Sequence, residues 1–288
     1  MIRRFVPFFA LAAAARSADA TAPSFLPKPK SVATTRALEL RGGAGPIDAE
    51  TAAKVVGGIA ITTGSVFTVA DKFCLKAYDV EGEYSPTDAR NVIDHNLSIL
   101  SAGLVMYSLL FRTDISWNLA MALGCLPWAF RALGDLLNES AVVTGPSTIG
   151  SSLIFIFASV AAYGGLTAAE WASNAFKAAS VFALASGLSV LLTPEQGSKL
   201  WGFKGATEKT HGMLTGVGVT LTGFGAFMLS LACGDDIITA VGKKGLVDAL
   251  GLIKAMYTPE WANLGVSKAA VYFWLILDVV ALFSILVK

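Results

Sequence analysis

The chain has 288 residues, of which 54% are hydrophobic and only 15% are charged, and its mean hydropathy is +0.62. Soluble domains carry about 25% charged residues, so this composition excludes an ordinary soluble enzyme and predicts a membrane protein with several spans. The net charge of +1 comes without any basic run, which argues against nucleic acid as a partner. The three cysteines lie far apart and form no C-x-x-C pair, so neither a disulfide framework nor a zinc site is predicted.

The first 45 residues have the composition of a targeting leader. A basic start, MIRR, precedes the apolar run FVPFFALAAAA, which is too short to span a bilayer, and Ala18 and Ala20 then form a small-x-small cleavage pattern. We therefore predict a signal peptide over residues 1–24. Residues 25–45 are basic and rich in hydroxyl groups and contain a single acid, Glu39. That profile predicts a transit peptide or flexible N-terminal segment.

This leader resembles the bipartite plastid-targeting presequence of diatoms and related red-lineage algae. The resemblance is carried by the segment APSFLP, in which Phe25 follows the signal cleavage point as in the ASAF-type motif, and by the segment LRGGA at residues 40–44. It covers only the leader and implies an address: a plastid membrane, with the thylakoid favoured. A membrane of the secretory pathway is the alternative destination.

Seven or eight transmembrane helices are predicted after the leader, which makes the fold class an all-α polytopic membrane bundle. A helical span needs about 20 consecutive residues that are mostly apolar. In chain order the candidate segments are 52–69, 97–111, 117–137, 149–166, 172–192, 210–233 and 266–287. Residues 76–94, between the first two segments, are predicted to form a polar loop. The segment 237–256 has a helical period but contains four charges, so it either crosses the bilayer or lies along its surface.

The order of the segments predicts two similar halves. Each histidine, His95 and His211, opens an apolar segment, and the segments around them follow the same order twice. We therefore predict two tandem four-helix halves, residues 46–169 and 170–288, which face the same way. Glycines are frequent in residues 210–233, and their small-x-x-x-small spacing allows neighbouring helices to approach closely in a membrane.

Three charged residues are candidates for a polar pathway. Asp278 lies near the middle of the last apolar segment, where an ionisable group is a candidate for function by default. It could relay protons, bind a cation or pair with Arg131, or it could only orient the bundle through a hydrogen bond. Arg131 and Asp135 have the spacing of a pair on one helix face, which either neutralises the charges locally or belongs to the pathway.

The histidines are candidates for cofactor binding. His95 and His211 could ligate the magnesium of chlorophyll or another pigment, or a haem iron, through a neutral imidazole nitrogen. Each also lies beside a polar loop, where a histidine commonly only caps a helix. No catalytic residue and no metal site are predicted, since nucleotide-binding, metalloprotease and nucleophile-elbow motifs are absent from the sequence. Five tryptophans near segment ends fit an aromatic belt: Trp117, Trp128, Trp171, Trp201 and Trp261.

The leading functional hypothesis is a non-enzymatic accessory or assembly subunit of a photosynthetic membrane complex. Its partners would be the lipid bilayer and other membrane proteins of that complex, and its cofactor, if it has one, a pigment. The alternative is a transporter or channel for a small solute or ion, with a polar path through Asp278 and Arg131. A haem- or quinone-linked oxidoreductase is a third class.

Overall fold

A computed structural model describes residues 48–78, 80, 84–112, 114–137 and 145–286, so the predicted leader lies outside the described residues. In this part of the chain every regular element is an α-helix, and there are eleven of them. Seven are long and apolar enough to cross a membrane, which confirms the all-α polytopic bundle. The helices are α1 (Ala49–Val69), α2 (Asp71–Ala77), α3 (Pro86–Phe111), α4 (Trp117–Leu137), α5 (Gly145–Leu166), α6 (Ala172–Leu192), α7 (Pro194–Leu200), α8 (Glu208–Ala232), α9 (Ile237–Met256), α10 (Pro259–Ala262) and α11 (Lys268–Leu286).

The helix α3 begins earlier than its apolar residues suggest, and the prediction of a polar loop up to residue 94 is wrong. The Ser85 hydroxyl accepts a hydrogen bond from the Asp88 amide at 3.1 Å, and the Asp88 carboxylate accepts one from the Ser85 amide at 3.0 Å. This reciprocal capping box satisfies two amides of the first turn, and Pro86 in that turn has no amide to satisfy. Polar residues of the predicted loop therefore form the first two turns of a helix.

The helix α9 lies within the bundle, antiparallel to α8 and α11. If a Cβ atom were added to Gly251 it would contact Val219 of α8, and one added to Gly242 would contact Ile285 of α11. The helix α9 therefore packs closely against both neighbours. The charges that made this segment ambiguous have partners: Lys243 Nζ lies 2.5 Å from an Asp235 oxygen, and Lys254 contacts a backbone carbonyl of α6. The helix α9 thus packs as an eighth helix of the bundle. Its charges are tolerated among apolar neighbours because pairing lowers the free-energy cost of burying them.

Glycines let the main helix pairs touch backbone to backbone. A Cβ atom at Gly103 would lie 2.5 Å from the Ile61 nitrogen, where α3 crosses α1. A Cβ atom at Gly225 would lie 2.5 Å from the Leu184 nitrogen, where α8 crosses α6. Such close approach increases the packing contacts that hold membrane helices together.

The packing order is the same in the first and the second half of the described chain. The helix α3 packs between α1 and α4, and α4 packs on α5, while α8 packs between α6 and α9, and α9 packs on α11. The halves meet through α3 and α8 at the centre, through α1 and α11 at one side, and through α5 and α6 at the other. This arrangement is expected of two tandem halves, whose boundaries at 46–169 and 170–288 stay predictions.

The register between the halves differs from the one the histidines suggested. The helix α8 opens with a capping box formed by Thr207 and Thr210, like that of α3. Thr210 is 122 residues from Asp88, its counterpart, and its hydroxyl donates to the Asp88 carboxylate at 2.8 Å. The same separation relates Gly103 to Gly225, whereas His95 and His211 are closer in sequence and are not counterparts. The prediction that the two histidines mark equivalent positions is therefore wrong.

Candidate functional site

Cavities lie on both sides of the central pair α3 and α8, where the halves meet. One of them, which we call the acidic cavity, contains about 850 Å³ of empty space, including the part that is open to solvent, and is lined by residues of α1, α3, α8, α9 and α11. Its charged lining residues are Lys244, Asp248 and Asp278, and His95 also lines it. The remaining lining is mainly apolar, so these side chains dominate its chemistry.

The carboxylate of Asp248 is the most buried charged group of the acidic cavity. Lys244, one turn earlier on α9, donates from Nζ to Asp248 Oδ2. The other oxygen, Oδ1, has no hydrogen-bond partner among the described residues, and Asp248 is only 5% exposed. A Cβ atom at Gly223 would collide with this carboxylate, so the glycine provides the space it occupies on α8.

Asp278 faces the same cavity from α11. A Cβ atom at Gly245 would lie 2.5 Å from the backbone oxygen of Asp278, which shows how closely α9 and α11 approach at this level. Asp248 and Lys244 of α9 line the same cavity as Asp278. With all three groups ionised the cluster has a net charge of −1, because a single ammonium faces two carboxylates.

The sequence analysis led to the hypothesis of a polar path through Asp278 and Arg131, but the structure does not bring these two residues together. Asp278 lines the acidic cavity, and Arg131 lines a cavity on the opposite side of the central pair. Lys244 and Asp248 take the place of Arg131 as the charged neighbours of Asp278. They were missed as site residues because their segment could not be assigned to the membrane. Their spacing of one helical turn was the available signal.

His95 lies at the centre of the interface between the halves. Its Nδ1 is 3.1 Å from the Gly216 carbonyl oxygen of α8 and 3.3 Å from the Thr220 hydroxyl. A carbonyl oxygen only accepts hydrogen bonds, so Nδ1 carries the proton, and in the neutral imidazole Nε2 keeps the lone pair. The ring is therefore oriented by the partner half, and its ligation of a pigment or haem stays a prediction.

Tyr78 closes the acidic cavity at the end of α2. Trp274 donates its indole N–H to the Tyr78 hydroxyl at 3.0 Å, and the His95 ring packs edge-on against the Tyr78 ring. Burial raises the pKa of Tyr78 well above its ordinary value. The phenol therefore stays protonated at physiological pH and can act as a hydrogen-bond donor.

His211 is not part of this cavity. It lies in the first turn of α8, where its Nε2 is 3.2 Å from the Ser198 hydroxyl of α7. The structure therefore does not bring the two candidate histidines together. A shared cofactor between them has no geometric support, and ligation by His211 alone stays a prediction.

Arg131 and Asp135 pair as their spacing suggested, but within a larger group that we call the Arg–Asp cluster (Arg90, Asp94, Arg131 and Asp135). Arg131 Nη1 donates to Asp135 at 2.6 Å, and Arg131 Nε donates to Asp94 at 2.8 Å. Arg90 donates to Asp94 at 2.9 Å and binds Asp135 through two nitrogens at 2.7 and 2.5 Å. Two arginines and two aspartates leave this cluster neutral.

Arg90 and Asp94 were not predicted as site residues because both lie in the segment that was predicted to be a polar loop. Both belong to the capped early turns of α3, and the Asp94 side chain is only 2% exposed. Their spacing of one helical turn was again the signal in the sequence that could have identified them.

No family model, curated protein or solved structure matches this chain, so its function has to be inferred from this geometry.

Proposed function

We propose that this membrane protein moves a small cation, or a solute together with a cation, through the acidic cavity. The observation that supports this most directly is that one lysine, Lys244, and two carboxyl groups, Asp248 and Asp278, line one cavity inside the bundle. An unpaired charge inside a membrane protein is costly, and a proton or monovalent cation would neutralise it. Reversible binding of such a cation at this cluster would suit a carrier better than a purely structural element.

The position of the cavity supports the same proposal. It lies between two halves with the same packing order, and its lining comes from both. In many transporters the substrate and ion sites lie at the interface of repeated halves, so that relative movement exposes the site to either side. The hydrogen bond between His95 and the Gly216 carbonyl oxygen joins the two halves, so it would restrain such movement.

The test is cation flux through purified protein in liposomes. A trapped pH dye measures proton entry driven by an imposed membrane potential, and radioactive sodium measures sodium entry. We expect Asp278→Asn to reduce flux to the level of protein-free liposomes. Its thermal stability should not fall, because the change removes an uncompensated charge and keeps the side-chain shape.

Asp114→Asn is the matched control, since Asp114 is exposed and pairs with Arg112 outside the helices. It should leave flux unchanged. Wild-type flux no greater than that of empty liposomes for both ions would refute the transport proposal. Normal flux in folded Asp278→Asn would show that this residue is not on the path.

A second candidate, supported by the leader sequence alone, is an accessory or assembly subunit of a photosynthetic complex in a plastid membrane. The basic, hydroxylated composition of residues 25–45 and the position of Phe25 support that address. Mild-detergent extraction, native gel separation and mass spectrometry of the band would test it. Co-migration with photosystem subunits is the expected result, and migration near the size of a monomer or dimer would contradict it.

A further inference from the structure

The cavity on the other side of the central pair contains two buried donors that have no acceptor among the described residues. They are Arg131 Nη2 and Trp128 Nε1, which lie one turn apart on α4. Both residues line this second cavity. Trp128 is only 6% exposed, so it lies in the core and its prediction as a member of an aromatic belt is wrong. A buried donor without a partner is destabilising, and an accepting ligand atom would remove that penalty.

The acceptor is not supplied by the Arg–Asp cluster itself. Both oxygens of Asp94 and both oxygens of Asp135 already accept hydrogen bonds from arginine or from Ser151. A carboxylate oxygen can accept a further hydrogen bond, but none of these four accepts one from Arg131 Nη2 or Trp128 Nε1, so the acceptor has to come from outside the cluster. Because the cluster is neutral, a carboxylate or phosphate would bring an uncompensated charge into the bundle. A neutral carbonyl oxygen meets the hydrogen-bond requirement without that cost.

An apolar space continues from this polar end. A neighbouring cavity, with about 530 Å³ of empty space including the part that is open to solvent, is lined mainly by apolar side chains, among them Phe157, Phe224 and Met228. Trp128, Phe182 and Trp201 line both spaces, so the two are adjacent. A ligand with its oxygen at Arg131 and Trp128 could thus place an apolar body against these side chains. Sites that combine an apolar lining with a few convergent polar groups are typical of small-molecule binding.

We propose that this second cavity binds a neutral, carbonyl-bearing apolar molecule, whose oxygen accepts hydrogen bonds from Arg131 Nη2 and Trp128 Nε1. Both a quinone ring and a glycerol ester of a lipid have this chemistry. The site is separate from the acidic cavity, so it does not depend on cation transport. It requires no redox step, because only reversible binding is proposed.

The test is equilibrium binding of two radiolabelled probes to the full chain in lipid nanodiscs: a benzoquinone with a short alkyl tail, and dioctanoylglycerol. We expect one of them to bind saturably. Trp128→Phe keeps an aromatic ring but removes the indole donor, and it should weaken that probe about fivefold, as expected for the loss of one hydrogen bond. Ser186→Leu adds bulk to a residue that lines both spaces, and it should abolish binding by filling them.

Trp117→Phe is the control, since Trp117 lies on the same helix but packs against Phe176 and does not line the cavity. It should leave binding unchanged. Preference for the quinone or for the ester identifies the source of the carbonyl. Absence of saturable binding by both probes would overturn the proposal. Binding that withstands both Trp128→Phe and Ser186→Leu would also overturn it, and neither result bears on the flux assay.

Discussion

Asp94→Ala is expected to lower the free energy of unfolding by about 3–5 kcal/mol, because it removes one partner of a buried ion-pair network. Asp94 accepts from Arg90 at 2.9 Å and from Arg131 at 2.8 Å, and its side chain is 2% exposed. Without it two guanidinium groups share the single carboxylate of Asp135, and one positive charge is uncompensated. Unfolding of the purified protein by sodium dodecyl sulfate, followed by circular dichroism, measures the loss.

The control for this prediction is Asp114→Ala, which breaks the exposed pair with Arg112. Exposed pairs contribute little, so we expect no measurable change. The double variant Asp94→Leu with Arg131→Met leaves one arginine and one aspartate, and it should recover part of the lost stability because the remaining pair is neutral. An Asp94→Ala variant that is as stable as the wild type would contradict this ion-pair network.

Gly103→Val is expected to force α1 and α3 apart and to destabilise the bundle. The added Cβ would lie 2.5 Å from a backbone nitrogen of α1, and a backbone cannot move aside as the end of a flexible side chain can. Overpacking typically costs about 1–3 kcal/mol, and a collision with backbone belongs at or above the upper end of that range. Thermal unfolding in detergent, followed by tryptophan fluorescence, measures the change.

Two further glycine variants make this prediction specific. Gly225→Val should have a similar effect, because Gly225 is the counterpart of Gly103 and a Cβ there would lie 2.5 Å from a backbone nitrogen of α6. Gly58→Val should be tolerated, because a Cβ at Gly58 would meet nothing within 4 Å. Equal effects at positions 58 and 103 would mean that loss of glycine itself, rather than close approach, causes the change.

The sequence alone determined the fold class and most helix positions. Both follow from the hydropathy and length of continuous segments, which can be read from residues that are neighbours along the chain. Apolar runs of sufficient length predicted the seven long helices. The isolated charge of Asp278 identified it as a candidate because few neighbours in its segment are polar. The local pairing of Arg131 with Asp135 also followed from sequence, since residues one turn apart share a helix face.

Only the tertiary structure decided which helices meet, and with them the composition of each cavity. Asp94 and Arg131 are 37 residues apart, and no periodicity within either helix predicts that they touch. The neighbours of Asp278 come from α9, and His95 is oriented by a carbonyl of α8. The two histidines stand out in the sequence and suggested the wrong register between the halves, whereas Gly103 and Gly225 make equivalent close contacts with α1 and α6. Contacts between helices depend on where small residues allow backbones to approach, which the sequence of one helix does not specify.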